Sequence, residues 1–235
     1  SWRLTGQKTW ISRIYEAPVA VVFAKTGDGD STTAIVLDMK RDGIVREKRE
    51  SDGLAGWSWG LLDFRNTPIA DSDILGKLED GENIFRDHFS YYRPIVAITA
   101  VGAAAGVFDL LRAHIIDRYN RGSISRYRDS ALETFGRCFI AIQSAILVSL
   151  NAGLFESTDS RREPWARSSK AYAVNVAHSC VQELSLLAGA TAFQRTHHLA
   201  KTRRDLMGFM YADGIHDALF RSTGMLLLAE SLGHL

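Results

Sequence analysis

The hydrophobic period of the chain changes close to Gly76, and this change limits the folds that the chain can adopt. Before Gly76, short segments rich in β-branched and aromatic residues alternate with turn-forming residues such as Gly27-Asp28-Gly29-Asp30. From Gly81 onward, apolar residues recur at helical spacing for nearly the rest of the chain. The sequence therefore predicts a β-domain followed by a helical domain.

The β-rich part is predicted to form a small barrel or sandwich, because it contains six short segments at even spacing. They are Trp2 to Thr5, Thr9 to Ser12, Val19 to Lys25, Thr33 to Asp38, Ile44 to Lys48 and Gly60 to Arg65.

The later part is predicted to form an antiparallel four-helix bundle, because its long helices are joined by short connections. The fold class is therefore α+β, with the β-domain over residues 1–77 and the bundle over residues 78–235. The predicted helices are Asn83 to Gly122, Ser130 to Ala152, Pro164 to Gly189 and Gly214 to Leu232.

Composition limits the partners and the compartment. A formal net charge of +1 gives no electrostatic footprint for nucleic acid or an anionic membrane, and apolar runs such as Ala97 to Val107 are shorter than a bilayer span. Cys138 and Cys180 lie in apolar helical patterns, which favours reduced thiols in the cytoplasm. The chain opens at Ser1 already in strand register, so we expect that a preceding part of the protein was trimmed, cleaved or left out.

A tryptophan and a hydroxyl residue, Trp10 and Ser12, lie two positions apart in the second predicted strand. Residues two apart on a strand share a face, so Trp10 would cover an aromatic system while Ser12 points at its polar edge. The stretch Leu4 to Ser12 resembles the acyl-CoA dehydrogenase family, whose middle β-domain carries a similar pattern against the flavin of FAD. The resemblance implies that Ser12 meets the flavin N5/O4 edge and that Trp10 packs beside the ring.

Later segments continue this resemblance in the same order. Asn66 to Ile69 with Asp73 to Gly76 resembles the exit from the family's β-domain, and Tyr92 to Ala97 with Ala100 to Gly102 resembles its first bundle helix. The resemblance covers the middle and C-terminal parts of a three-part fold. The family's N-terminal helical domain is absent from this sequence.

Two segments of the bundle are similar to the family's phosphate-binding positions. Arg118 matches the arginine that the resemblance places on the FAD pyrophosphate across a subunit interface, although Arg121 replaces the usual phenylalanine. Gly189 matches a glycine that lets the backbone approach the dinucleotide, although Ser185 and Ala188 replace the usual glutamine and first glycine. Arg118 is equally typical of a basic residue ending a helix, and Gly189 of a helix C-terminus.

The catalytic base is where the chain departs most from the family. The family register places Asp213 where many relatives have the glutamate that removes the α-proton of a thioester. Aspartate is one methylene shorter, and Asp213 is equally suited to capping the last helix. Some relatives carry the base just before Arg93, where this chain has Tyr92, a good hydrogen-bonding group but a weak base. Arg93 itself is predicted to bind the substrate.

The sequence predicts a FAD-dependent dehydrogenase that oxidises a small acyl thioester. The run Gly53 to Gly60, with Tyr92-Arg93-Pro94, resembles a branch that acts on acyl groups of an acyl carrier protein in polyketide extender-unit biosynthesis, such as hydroxymalonyl and methoxymalonyl units. A CoA-bound substrate stays open, and the electron acceptor is unassigned. A flavin monooxygenase on the same fold and a non-catalytic scaffold subunit are the alternatives.

No metal site is expected, because the histidine pair His197-His198 has no acidic residue at metal-site spacing. A homodimer or a dimer of dimers is expected, because the third and fourth predicted helices carry more apolar residues than one face requires. These residues are Val174, Val181, Leu184, Leu187, Met225, Leu226 and Leu228.

Overall fold

The computed structural model describes residues 2–27 and 29–232 and divides the chain into two compact units, Ser1–His88 and Phe89–Leu235. The division falls inside the first helix, whereas the domain boundary predicted from the change of period is at residue 77. Each unit encloses its own cluster of buried apolar side chains.

The first unit contains two antiparallel three-stranded sheets, ordered β1-β5-β4 and β2-β3-β6. The α+β prediction is confirmed, and within the described residues the sheets do not close into a barrel. Buried side chains such as Val22, Leu37 and Phe64 form the core of this unit. The strands are β1 (Trp2–Ser12), β2 (Val19–Lys25), β3 (Thr32–Asp38), β4 (Ile44–Arg49), β5 (Trp59–Ile69) and β6 (Ile74–Leu75).

A β-bulge interrupts β1 at the Trp10 segment. The pairing with β5 shifts between Lys8 and Ile11, and Trp10 has a φ of 55°, in the left-handed region. The inference that Trp10 and Ser12 share a face depended on unbroken alternation. An inserted residue changes the alternation of side chains along the strand, so spacing alone does not place Trp10 and Ser12 on the same face.

The described residues from Gly81 onward contain five α-helices, one more than the four predicted. The helix that was not predicted is α4. Its apolar stripe is short, consisting of Leu199, Ala200 and Leu206, and the charged run Arg203-Arg204-Asp205 weakens the helical pattern of hydrophobicity. The helices are α1 (Gly81–Asn120), α2 (Asp129–Gly153), α3 (Arg162–Leu187), α4 (His198–Tyr211) and α5 (His216–Leu232).

The helical core consists largely of small and β-branched residues from α1, α2 and α3, together with leucines of α3 and α4. Val174, Val181 and Leu184, which were expected at a dimer interface, are each 0% exposed within this core. That part of the interface prediction was wrong, because these side chains already fill the chain's own interior. Met225 and Leu228 on α5 are exposed.

Two helices, α1 and α2, are long and apolar enough to cross a membrane by length and composition. The run Ala97 to Val107 is therefore only part of a longer apolar segment. In α1 this character has a structural cause, since Ala97, Ala100 and Val101 are fully buried in the helical core. On α2, Phe139, Ile140 and Leu147 are exposed.

Candidate active site

The turn between α4 and α5 is held by two buried cationic side chains from two other helices. Arg93 of α1 is 6% exposed, and its Nε donates to the Asp213 carbonyl oxygen at 3.0 Å. Lys170 of α3 is 0% exposed, and its Nζ donates to the Gly214 carbonyl oxygen at 2.8 Å. Consecutive carbonyl groups of one turn are therefore tied to α1 and α3.

The turn has a backbone conformation that restricts its sequence. Asp213 has a φ of 54° and Gly214 a φ of 112°, both in the range that L side chains rarely adopt. A Cβ atom added at Gly214 would lie 2.8 Å from Leu219 Cδ2, so glycine is required there for space as well. The turn thus presents the Asp213 side chain from a fixed backbone.

Asp213 is not the cap of the last helix. The first backbone bond of α5 runs from Leu219 N to the carbonyl oxygen of Ile215, so Ile215 occupies the N-cap position. Asp213 lies two residues earlier. The capping alternative drawn from the sequence is therefore wrong.

Burial and neighbouring charges shift the pKa values of both cations. Burial, followed by the charge of Arg167, lowers the pKa of Arg93 to about 10, while the Asp213 carboxylate raises it. Burial also lowers the pKa of Lys170 to about 8, with Asp213 raising it and Arg93 lowering it. Both groups keep a proton at neutral pH, so positive charge faces the Asp213 carboxylate.

His216, the first residue of α5, adds a buried neutral group beside the turn. Its Nδ1 lies 3.0 Å from Asn175 Oδ1, which accepts a hydrogen bond only, so Nδ1 is the protonated nitrogen. Its Nε2 is buried without a hydrogen-bond partner among the described residues. Burial, followed by the charge of Lys170, lowers the pKa of His216 to about 4.

Two α1 residues, Arg93 and Tyr92, were assigned roles from the sequence, and the structure gives Arg93 a different one. Arg93, expected to bind substrate, is buried and donates to the backbone of the turn. Its guanidinium carbon also lies 5.1 Å from the centroid of the Phe89 ring. Tyr92 is 42% exposed on the same helix, and its proposed part in catalysis stays a prediction.

A second candidate region lies near the other end of α1. The C-terminal part of α1, the short 3₁₀ helix Gly189–Phe193 and the start of α4 border a cavity of about 410 Å³. Asp117 and Ala188 line it, so Arg118 and Gly189 directly follow lining residues on two different elements. The fold thus brings the two predicted phosphate-binding segments to one place.

The residues around this cavity fit a phosphate-bearing cofactor in part. Arg118 is half-buried and has no ion-pair partner within residues 2–27 and 29–232, since Asp117 pairs with Arg121. Gly189 has a φ of 69° and open space at its Cβ position, as expected at a helix C-terminus. Ser185 stands at the position of the family's glutamine but does not take over its role as a cofactor contact. Its side chain is 1% exposed, and its hydroxyl donates to the Val181 carbonyl oxygen.

The predicted flavin-facing residues belong to the first unit. Trp10 is 58% exposed at the bulge, and Ser12 is exposed at the end of β1. Within the second unit, Arg93 contacts the Asp213 backbone, and Arg118 and Gly189 each follow a residue that lines the same cavity. Their relation to Trp10 and Ser12 stays a prediction.

Sequence reasoning missed Lys170 and His216. Lys170 stands among alanines and serines in α3, and a lysine inside a small-residue stripe is the only signal of its burial. From the sequence, His216 was assigned no role. Within the part of the chain that the structure describes, no cluster of three or more His, Cys, Asp or Glu residues is arranged to hold a metal ion.

Comparisons with known proteins identify the family of the helical domain and solved structures with the same fold. Residues 79–224, more than half of the chain, match the acyl-CoA dehydrogenase C-terminal domain. Butyryl-CoA dehydrogenase from Megasphaera elsdenii is 20% identical, with a TM-score of 0.82 over 96% of this chain and 60% of its own. An acyl-CoA dehydrogenase complexed with FAD from Bacillus anthracis is 17% identical, with a TM-score of 0.79 over 98% of this chain and 43% of its own.

The fold is shared with a further flavoprotein, nitroalkane oxidase. That structure comes from a study of the roles of one arginine and one aspartate in its reaction, and it is 17% identical. Its TM-score is 0.83 over 97% of this chain and 60% of its own. The chain thus spans about 60% of the length of the first solved structures that it matches. On the match over residues 79–224, the chain belongs to the acyl-CoA dehydrogenase family, of which it carries the C-terminal domain.

Proposed function

We propose that this chain is the catalytic part of a FAD-dependent dehydrogenase that oxidises a small acyl thioester carried by an acyl carrier protein. The observation that carries the proposal is the Asp213 turn, in which a carboxylate sits on a backbone held by Arg93 and Lys170. A carboxylate at a fixed position is what removal of an α-proton requires.

In this proposal Asp213 takes the α-proton of the thioester. Bound FAD supplies the acceptor for the two electrons that leave the substrate. The positive charges of Arg93 and Lys170 interact favourably with the Asp213 carboxylate, which is the form that can accept a proton.

The cofactor would be held by Trp10 and Ser12 at the flavin, and by Arg118 and Gly189 at the phosphates. Arg93 and Arg118 are 25 positions apart on the continuous helix α1, which places them about 38 Å apart along its axis. An extended dinucleotide does not cover that distance. We therefore infer that Arg118 serves the cofactor of a neighbouring subunit.

This arrangement needs a homodimer or a dimer of dimers. Exposed apolar side chains on the helical unit support it, since a monomer seldom leaves such residues in water in large groups. They include Leu147 and Leu150 on α2 and Met225 and Leu228 on α5. Light scattering of the FAD-bound protein at micromolar concentration is expected to give a dimer or a tetramer, and only monomers would contradict it.

The substrate carrier is the finer part of the proposal. The resemblance of Gly53 to Gly60 to the carrier-protein branch supports an acyl-carrier-protein thioester over a CoA thioester. The free, buried thiols of Cys138 and Cys180 agree with a cytoplasmic enzyme.

A flavin oxidase that passes electrons to dioxygen is the second candidate. The fold that this chain shares with nitroalkane oxidase supports this candidate. Oxygen consumption matched by hydrogen peroxide, with the oxidised acyl thioester as product, would support the oxidase. Oxygen consumption with an oxygen atom incorporated into the product would support a monooxygenase.

The proposal is tested by anaerobic stopped-flow reduction of the bound flavin with acyl-CoA and acyl-carrier-protein thioesters. Asp213→Asn is expected to retain FAD but to reduce it about 100-fold or more slowly, the usual contribution of a positioned general base. Asp213→Glu is the matched variant, since it keeps the carboxylate and lengthens its reach. Wild-type rates of flavin reduction in Asp213→Asn would show that Asp213 is not the base. A purified protein that contains no flavin would support the alternative of a non-catalytic scaffold subunit.

A further inference from the structure

Lys170 is the largest side chain among those that are almost completely buried in the structure. A lysine is rarely found fully buried, because removal of its charge from water is costly unless the charge is paired. The hydrogen-bond partner of Nζ is the Gly214 carbonyl oxygen, a neutral group. Among the described residues, the Lys170 ammonium donates to a carbonyl of the turn, and the carboxylate that acts on its charge is that of Asp213 in the same turn. A role in the turn itself is therefore the better explanation for this buried charge.

The surroundings of Lys170 connect it to Asp213. The Asp213 carboxylate raises the pKa of Lys170, and it does the same for Arg93, so its negative charge lies within reach of both cations. The two cations reach the turn from different helices and bind consecutive carbonyl groups. Other charged or titratable groups also act on this region. They are Glu163 and Arg167 on α3 and His216 and Asp217 on α5.

We propose that Lys170 is a positioning residue, which fixes the Asp213–Gly214 turn through the Gly214 carbonyl and places a positive charge beside the Asp213 carboxylate. Arg93 holds the preceding carbonyl, so the turn is fixed at two successive points. The catalytic meaning of this inference rests on the proposed function of Asp213 as the base. The coupling between Lys170 and Asp213 does not depend on it.

The first test removes the charge and the hydrogen bond together in Lys170→Met, made in the full-length protein. The Asp213 carboxyl is followed by ¹³C NMR titration with labelled aspartate, its signal assigned through its loss in Asp213→Asn. We expect Asp213 to titrate at higher pH in Lys170→Met, by about one pH unit, because a neighbouring positive charge has been removed. Amide hydrogen exchange at the turn is expected to become faster.

Two matched variants separate the contributions. Lys201→Met removes an exposed lysine of α4 that pairs with Asp205, and it should leave both measurements unchanged. Lys170→Gln keeps an N–H donor without the charge, so the Asp213 titration should move up while turn exchange changes less. Lys170→Gln also decides the matter if Lys170→Met does not fold.

An unchanged Asp213 titration in Lys170→Met and Lys170→Gln would overturn the inference. Neither measurement needs flavin or substrate, so its result is independent of the proposed reaction. If the titration shifts but the wild-type flavin is never reduced, the proposed function fails while the positioning role stands. If the flavin is reduced and the titration does not shift, the positioning role alone fails.

Discussion

The two ends of the chain's longest helix use their charged residues in opposite ways. At the Arg93 end, cationic side chains are buried and donate to backbone carbonyl groups of one turn. At the Arg118 end, the arginine is half-buried beside a cavity and has no ion-pair partner within the described residues. The first arrangement builds a rigid turn, and the second leaves a charge available for an anion. This difference separates groups that shape a site from groups that bind a ligand.

Alanine at Gly214 and at Gly189, two of the glycines with positive φ, should separate these ends most strongly. Gly214→Ala is expected to destabilise the protein by about 2 to 4 kcal/mol, because both the backbone conformation and Leu219 oppose a Cβ atom. Gly189→Ala should cost only about 1 kcal/mol, because open space surrounds its Cβ position. Denaturant unfolding measures both.

Gly102→Ala provides the control for these variants. Gly102 lies within α1, and an added Cβ atom meets nothing within 4 Å. The substitution should stabilise the protein by up to about 1 kcal/mol. Equal losses for Gly214→Ala and Gly189→Ala would show that the turn has no special requirement for glycine.

Arg118→Ala should weaken FAD binding without affecting the fold. One charge-assisted hydrogen bond contributes about 1.5 to 3 kcal/mol, so the Kd for FAD should rise roughly tenfold to a hundredfold. The unfolding free energy of the FAD-free protein should stay within about 0.5 kcal/mol of wild type. Arg121→Ala is the matched control, since Arg121 already pairs with Asp117. An unchanged FAD affinity in Arg118→Ala would remove Arg118 from the site.

Acid should destabilise the contact between the start of α5 and α3, where His216 is buried beside Asn175. Because the pKa of His216 is lowered from 6.5 to about 4, its contribution to stability is present above pH 6.5 and is lost as the pH falls toward 4. The expected loss is roughly 1 to 3 kcal/mol. The unfolding free energy of His216→Gln should fall less over this pH range than that of wild type. Replacement of the exposed His198 should leave the pH dependence of the unfolding free energy as in wild type. A wild-type unfolding free energy that is flat between pH 6.5 and 4 would contradict this.

The parts of the fold that follow local pattern were predictable from the sequence. The strand β2 matches its predicted bounds, because six consecutive apolar residues, three of them valines, precede Lys25 at its end. The bulge at Trp10 was not predictable, since a left-handed residue in a strand depends on pairing with β5. Helix α4 was missed because its charged run dominates a short apolar stripe.

The site residues also divide into those that local sequence predicted and those that depend on contacts between distant parts of the chain. Asp213 and Arg93 were identified by family resemblance, and the structure places them in one contact. The function of Arg93 in holding the turn depends on the distance between α1 and a turn far along the chain, which no local pattern encodes. Lys170 was missed for the same reason.

A subunit-mixing experiment tests most directly whether the two ends of α1 serve different cofactor molecules. The FAD concentration is set between the Kd of the wild type and the raised Kd of Arg118→Ala. Asp213→Asn then lacks the base and Arg118→Ala lacks bound FAD, so each is expected to be deficient in flavin reduction by the acyl thioester. In a mixed dimer, one site would combine the intact Asp213 of one subunit with the intact Arg118 of the other. The account predicts that dissociating, mixing and reassembling the two variants restores fast flavin reduction at one of the two sites of each mixed dimer. Reduction no faster than in the separate variants, with mixed dimers verified by mass spectrometry, would show that both residues act within one subunit.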